Sequence, residues 1–219
     1  MMTVKAVLFD FDGTLADTLP VIYLAFQGVF REFEQREVTP EEIVKMFGPP
    51  EAGVLERQIK RVADVQPAIE RFYQLYAENH RELVRASAEI NRMLQYLKER
   101  GLRMGVVTGK GRRSADISLR LLEMDSYFDI VVTGDDVVRP KPHPEGIHSV
   151  LERLEVPAAE ALFVGDSNAD IRAGKAAGMR TIGVKWFEET QTDCFSPEPD
   201  YLFETVADFQ QFLAKALTD

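Results

Sequence analysis

Short, unbroken apolar runs of β type recur along the chain, at Ala6–Phe9, Met104–Val107, Ile130–Val132, Ala161–Val164 and Thr181–Val184. Each lies beside Gly, Asp or Thr. Between most of them the apolar positions fall at helical spacing, as at Ile90, Met93, Leu94 and Leu97, or Ile117, Leu121 and Leu122. Continuous rather than alternating apolar strands belong to a sheet covered on both faces. Strands alternating with helices build right-handed βαβ units. The predicted fold class is therefore α/β, with a doubly wound, Rossmann-like parallel sheet.

One interval breaks the rhythm. Residues 16–86 contain no strand pattern and carry helical stripes instead: Leu15, Leu19, Ile22, Phe26, Phe30 and Phe33, then Ile69, Phe72, Tyr73, Tyr76 and Leu83. Thr39-Pro40-Glu41-Glu42 places an N-cap, a proline at N1 and a glutamate at N3, which is the capping-box signature of a helix start. An all-helical stretch of this length is more than a crossover. It predicts an inserted cap domain over 16–86, hinged near 15–18 and 84–88, with the core formed by 1–15 and 87–219. After Pro197 and Pro199 come a short strand at Tyr201–Phe203 and a helix bearing Val206, Phe209, Phe212 and Leu213.

Charge narrows the function. The formal net charge is −10 over 219 residues, which argues against the basic face that nucleic acids and anionic membranes require. The single cysteine, Cys194, permits no intrachain disulfide framework. No stretch reaches the roughly 20 apolar residues of a membrane span, and the N-terminal apolar run is too short for a signal peptide. The expectation is a cytoplasmic protein, a monomer or homodimer.

Ligands of an open parallel sheet bind at the carboxyl ends of its strands, so the residues after each apolar run carry the chemistry. They are Asp10-Phe11-Asp12-Gly13-Thr14, then Thr108-Gly109-Lys110, then Lys141 in a proline-rich loop, then Gly165-Asp166-Ser167-Asn168-Ala169-Asp170. Asp10 and Asp12, two apart in an extended segment, are expected to point the same way and to repel unless a cation lies between them. Mg²⁺ suits such oxygen ligands, and Asp166 would complete the site. One carboxylate can then attack phosphorus while the other moves protons. Thr108 can donate to a phosphoryl oxygen, as can the backbone N–H groups of Gly109 and Lys110 at a helix start, and Lys141 adds fixed positive charge. Asp170 either orients Lys141 or serves its own helix.

Taken together, Asp10–Thr14, Thr108, Lys141 and Gly165–Asp170 resemble, in order, the four motifs of the haloacid dehalogenase-like hydrolase superfamily. The resemblance covers about residues 4–184, and the helical insert looks like that family's cap of the first type. It implies that Asp10 is the nucleophile and Asp12 the acid/base. It also implies that Asp10, Asp12 (through its backbone carbonyl) and Asp166 hold Mg²⁺. Within the superfamily the sequence looks most like phosphoglycolate phosphatases and the related pyrophosphatases. The implied activity is a Mg²⁺-dependent phosphatase acting on a small, phosphoglycolate-like phosphomonoester through an aspartyl-phosphate. An inorganic pyrophosphatase or a phosphosugar mutase of the same fold is the alternative, and a non-catalytic binding protein a further one. Mutases usually show a histidine early in the cap helix, where Thr18–Tyr23 has none.

Several other residues read as structural. Lys110, Arg112 and Arg113 look like a charged, solvated helix start. His143 looks like a loop residue, and His80 and His148 like partly exposed helix residues. Trp186 and Phe187 either border the site or cover the sheet edge. In the insert, Gly48 lies in the turn Phe47-Gly48-Pro49-Pro50 and, with Lys45 or Arg57, is the candidate for substrate contact.

Overall fold

A computed structural model describes residues 3–84, 86–188, 191–192 and 194–217. Arg85, within the expected hinge at 84–88, lies outside the described residues. In chain order the elements are β1 (Ala6–Phe9), α1 (Leu19–Glu34), α2 (Pro40–Val44), α3 (Glu51–Gln58), α4 (Val62–Leu83), α5 (Ala88–Glu99), β2 (Arg103–Val107) and α6 (Arg112–Leu121). There follow β3 (Ile130–Val132), α7 (Glu145–Leu154), β4 (Ala161–Gly165), α8 (Asn168–Ala176), β5 (Arg180–Val184), β6 (Tyr201–Phe203) and α9 (Val206–Ala216).

The strands form one parallel sheet in the order β3-β2-β1-β4-β5-β6. Its order reverses at β1, the strand from which the chain winds first one way and then the other. That is where a ligand crevice opens in such sheets.

Alternation along β1 explains why both faces are dry. Val7 and Phe9 join a cluster with Ile90, Leu94 and Phe209 from α5 and α9. Ala6 and Leu8 join a second cluster with Ile147, Val150 and Ala173 from α7 and α8. A period of two thus feeds two cores from one four-residue strand.

The expected insertion is wholly helical, comprising α1 to α4. Thr39 makes the full capping box, accepting from Glu42 N and donating its own N–H to the Glu42 carboxylate. The helices pack through aromatic side chains, with the rings of Phe26 and Phe72 4.6 Å apart. The insertion shares its apolar cluster with the β1 face that carries Phe9. Among the described residues no helix is long and apolar enough to cross a membrane.

Candidate active site

The chain leaves β1 in register. Asp10 N donates to Val164 O at 2.8 Å, so Asp10 stands where the strand ends, at the centre of the sheet. Gly13 then turns the backbone with φ +80°. A Cβ there would lie 2.3 Å from Asp166 Oδ2, so glycine is needed both for the turn and for the close approach of the β4 loop. Thr14 Oγ1 donates to Asp166 Oδ1 at 3.3 Å, joining the two loops. Trp186 Nε1 donates to Thr14 O at 2.8 Å, while its ring packs on Phe209. Trp186 therefore buttresses the loop after β1.

Lys141 bridges two carboxylates, with Nζ 2.8 Å from Asp10 Oδ1 and 2.6 Å from Asp170 Oδ1. Asp170 also accepts from Ser167 N and Oγ, which caps α8. It thus fills both roles left open by its position in the chain. Oxygens of Asp10, Asp166 and Asp170 all lie within 4.8 Å of one another. Burial, then the Asp170 charge, push the Asp10 carboxyl up to about 7 against the pull of Lys141. Burial, then Asp10 and Asp170, raise Asp166 well above the usual carboxylate range. Asp166 is 0% exposed and, among the described residues, makes no ion pair. Three buried carboxylates, of which Asp10 and Asp170 alone meet a lysine, lack positive charge, and an all-oxygen donor set of this kind fits a hard divalent cation.

Asp12 is held differently. Its Oδ1 accepts from Lys110 Nζ at 3.0 Å and from the Thr18 hydroxyl. The side chains of Asp10 and Asp12 thus take different lysines. The Asp12 carbonyl faces Gln191, whose Nε2 donates to it at 3.2 Å, and whose backbone N donates to Asp166 Oδ2 at 3.0 Å. Asp12 O and Asp166, both expected metal ligands, therefore converge on one residue.

Two readings of the sequence are corrected. Lys110 is not a solvated helix-start residue, since its side chain is 0% exposed. It meets Asp12, Glu51 Oε1 at 3.6 Å and the face of Tyr76 at 4.6 Å. Burial opposes its charge, but Asp12, Tyr76 and Glu51 together raise its pKa above the ordinary lysine range. His80 is not partly exposed either; it is buried against Ser118 Oγ at 2.9 Å, an oxygen it shares with Tyr76 Oη. Burial, then Lys110, lower its pKa to about 4. Arg113 and His148 are exposed, as expected. His143 accepts from Glu145 N at the start of α7.

Glu51 carried no signal in the sequence. It opens α3 in the insertion, yet its carboxylate accepts from Gly111 N at 2.7 Å and Ser114 Oγ at 2.6 Å, at the start of α6. The helix end expected to greet a phosphate is thus partly occupied by an internal anion. Asp135 takes the next donor, Arg112 N.

Between insertion and sheet lies a cavity of about 420 Å³, within the usual range for small-molecule sites. Asp10, Asp12, Thr108, Gly109 and Lys141 line its floor, and Gly48 lines its roof. Gly48 has φ +139°, a conformation that favours glycine. Lys45 and Arg57 are exposed and are not among the lining residues. Asp166 and Asp170 are buried and are not among the lining residues, though Ser167 and Ala169 between them are.

Known proteins resemble this chain along nearly its whole length. The chain is 34% identical over 213 residues to a protein named pyrophosphatase PpaX from Anoxybacillus flavithermus, covering 97% of this chain and 98% of that one. Its fold matches a predicted phosphoglycolate phosphatase from Haemophilus somnus with a TM-score of 0.84 at 22% identity, over 97% and 99% of the two chains. It also matches CbbY from Rhodobacter sphaeroides in complex with phosphate, with a TM-score of 0.82 at 24% identity over 94% and 96%. At those identities the structural likeness speaks for the fold alone. The family model described as haloacid dehalogenase-like hydrolase matches residues 7–184, from β1 with the Asp10 loop that follows it to the end of β5, and the chain belongs to that family.

Proposed function

We propose that the protein is a Mg²⁺-dependent phosphatase that hydrolyses a small phosphomonoester through an aspartyl-phosphate on Asp10. The observation that carries this reading is the placement of Asp10. It ends the central strand, is bound by Lys141 at 2.8 Å, and opens onto a cavity that Thr108 and Gly109 also line. Residues 16–86 act as the cap, and 1–15 with 87–219 as the catalytic core.

In the first step Asp10 Oδ attacks phosphorus and the bond to the leaving oxygen breaks, with Asp12 giving that oxygen a proton. Lys110 and Thr18 both bind Asp12 Oδ1, which leaves Oδ2 to carry the proton. In the second step Asp12 takes a proton from water, the water oxygen attacks phosphorus, and Asp10 and inorganic phosphate are released. Lys141, the Thr108 hydroxyl and the Gly109 N–H hold the phosphoryl oxygens, and Asp170 keeps Lys141 aimed. Asp10, the Asp12 carbonyl and Asp166 would hold Mg²⁺, which supplies the positive charge that lets a carboxylate approach a phosphate dianion. Glu51 fastens the cap to α6, and closure excludes water during attack.

Hydrolysis of p-nitrophenyl phosphate should require Mg²⁺ and vanish in Asp10→Asn. Robust turnover by that variant removes Asp10 as nucleophile. Phosphoglycolate and pyrophosphate, the compounds named for relatives, belong in the first substrate panel. A glucose 1-phosphate to glucose 6-phosphate assay separates transfer between sugar positions from release of phosphate.

A further inference from the structure

The roof of the cavity differs in kind from its floor. Above the phosphoryl-binding residues the insertion contributes Ile22, Phe26, Phe47, Pro49 and Val54 to the lining. The one charged residue it adds, among those described, is Glu51, an anion. Each cation already on the lining is committed. Lys141 lies between Asp10 and Asp170, and Lys110, with no solvent exposure, is enclosed by Asp12, Glu51 and Tyr76. The nearby helix N-terminus is engaged too, because Glu51 and Asp135 accept from Gly111 N and Arg112 N. Besides apolar carbon and carboxylates, the lining offers a second anionic group only the uncharged side chains of Ser167 and Gln191, and no side-chain cation that is not already paired.

We infer that the leaving group of the substrate is uncharged and largely apolar. The physiological substrate would then be a monophosphate of a small neutral alcohol, rather than a compound with a second carboxylate or phosphate. The inference rests on the phosphatase reading above and narrows its substrate class. Discrimination of this sort is steep, because a charge left without a partner on binding costs more than a missing methyl group.

The experiment uses the full chain with Mg²⁺ and a pair of compounds matched in shape. Isobutyl phosphate and phosphoglycolate have branched ends of the same size, one apolar and one anionic. Their kcat/KM values should differ by at least tenfold in favour of isobutyl phosphate, with pyrophosphate as poor as phosphoglycolate. Phosphate release from phosphoglycolate or pyrophosphate at an equal or higher kcat/KM overturns the inference and leaves the phosphatase reading standing. No turnover of any compound, p-nitrophenyl phosphate included, overturns both. A second arm places a cation on the roof: in Val54→Lys the preference should move at least tenfold toward phosphoglycolate. A folded variant with an unchanged preference also overturns the inference.

Discussion

Replacing Lys110 with methionine removes a buried charge while keeping most of the stem's packing. In the native chain Nζ lies 3.0 Å from Asp12 and 3.6 Å from Glu51, with no solvent contact. Removing one partner of such a pair strands the other in a medium that cannot solvate it, at a cost of about 3–5 kcal/mol. Thr18 still binds Asp12, and Gly111 and Ser114 still bind Glu51, so we expect the lower end, about 3 kcal/mol. For a chain of this size that lowers Tm by roughly 6–12 °C. Urea unfolding with a fluorescence readout measures it. Arg31→Met is the control: its pair with Glu37 is shorter, at 2.7 Å, but both side chains are largely exposed, and the midpoint should not move. The contrast isolates desolvation from distance. Adding Asp12→Asn to Lys110→Met should recover much of the loss, because the stranded carboxylate is gone. A Lys110→Met loss below about 1 kcal/mol, or additive single effects in that cycle, means that Lys110 is solvated and that the reasoning fails.

Three further outcomes follow from the same geometry. His80 has its pKa lowered from 6.5 to about 4; the unfolded chain therefore binds its proton first, and stability is lost as pH falls from 6.5 towards 4, by up to about 3 kcal/mol before screening is allowed for. In His80→Gln that part of the acid slope should be missing from urea midpoints measured across this range, and an unaltered slope refutes the assignment. Gly13→Ala must fit a Cβ 2.3 Å from Asp166 Oδ2 at φ +80°, so Mg²⁺ affinity measured by calorimetry should fall at least about tenfold, since displaced ligand-holding groups typically cost 10–100-fold. Native affinity in a folded variant contradicts the proposed role of Asp166. Glu51→Ala removes two charge-assisted bonds across the cap contact, each worth about 1.5–3 kcal/mol. Small-angle scattering should show a larger radius of gyration and kinetics a raised KM; an unchanged scattering profile means that Glu51 does not hold the cap.

Much of the architecture was legible from the chain alone because it is local. The apolar runs at Ala6–Phe9 and Ala161–Val164 declare strands, Thr39-Pro40-Glu41-Glu42 declares a helix start, and strand ends in a parallel sheet converge whatever the details of packing. That convergence is why Asp10, Thr108, Lys141 and Asp166 could be singled out from their positions after strands. Periodicity, however, reports only which face of an element is apolar; it does not report what covers that face. Lys110 sits in a run of basic residues that reads as solvated, and only the docking of α3 and α4 on α6 encloses it. Its partner Asp12 is 98 residues away. Glu51 and Gly111 are 60 apart, and His80 and Ser118 are 38 apart, so neither contact leaves a trace in local pattern. The sequence alone determined the strands, the helical insertion and the gathering of Asp10, Thr108, Lys141 and Asp166 at one edge of the sheet. Tertiary structure decided which charges are buried and which carboxylate holds which lysine. Those outcomes depend on desolvation, which exists only once elements distant in the chain have packed together.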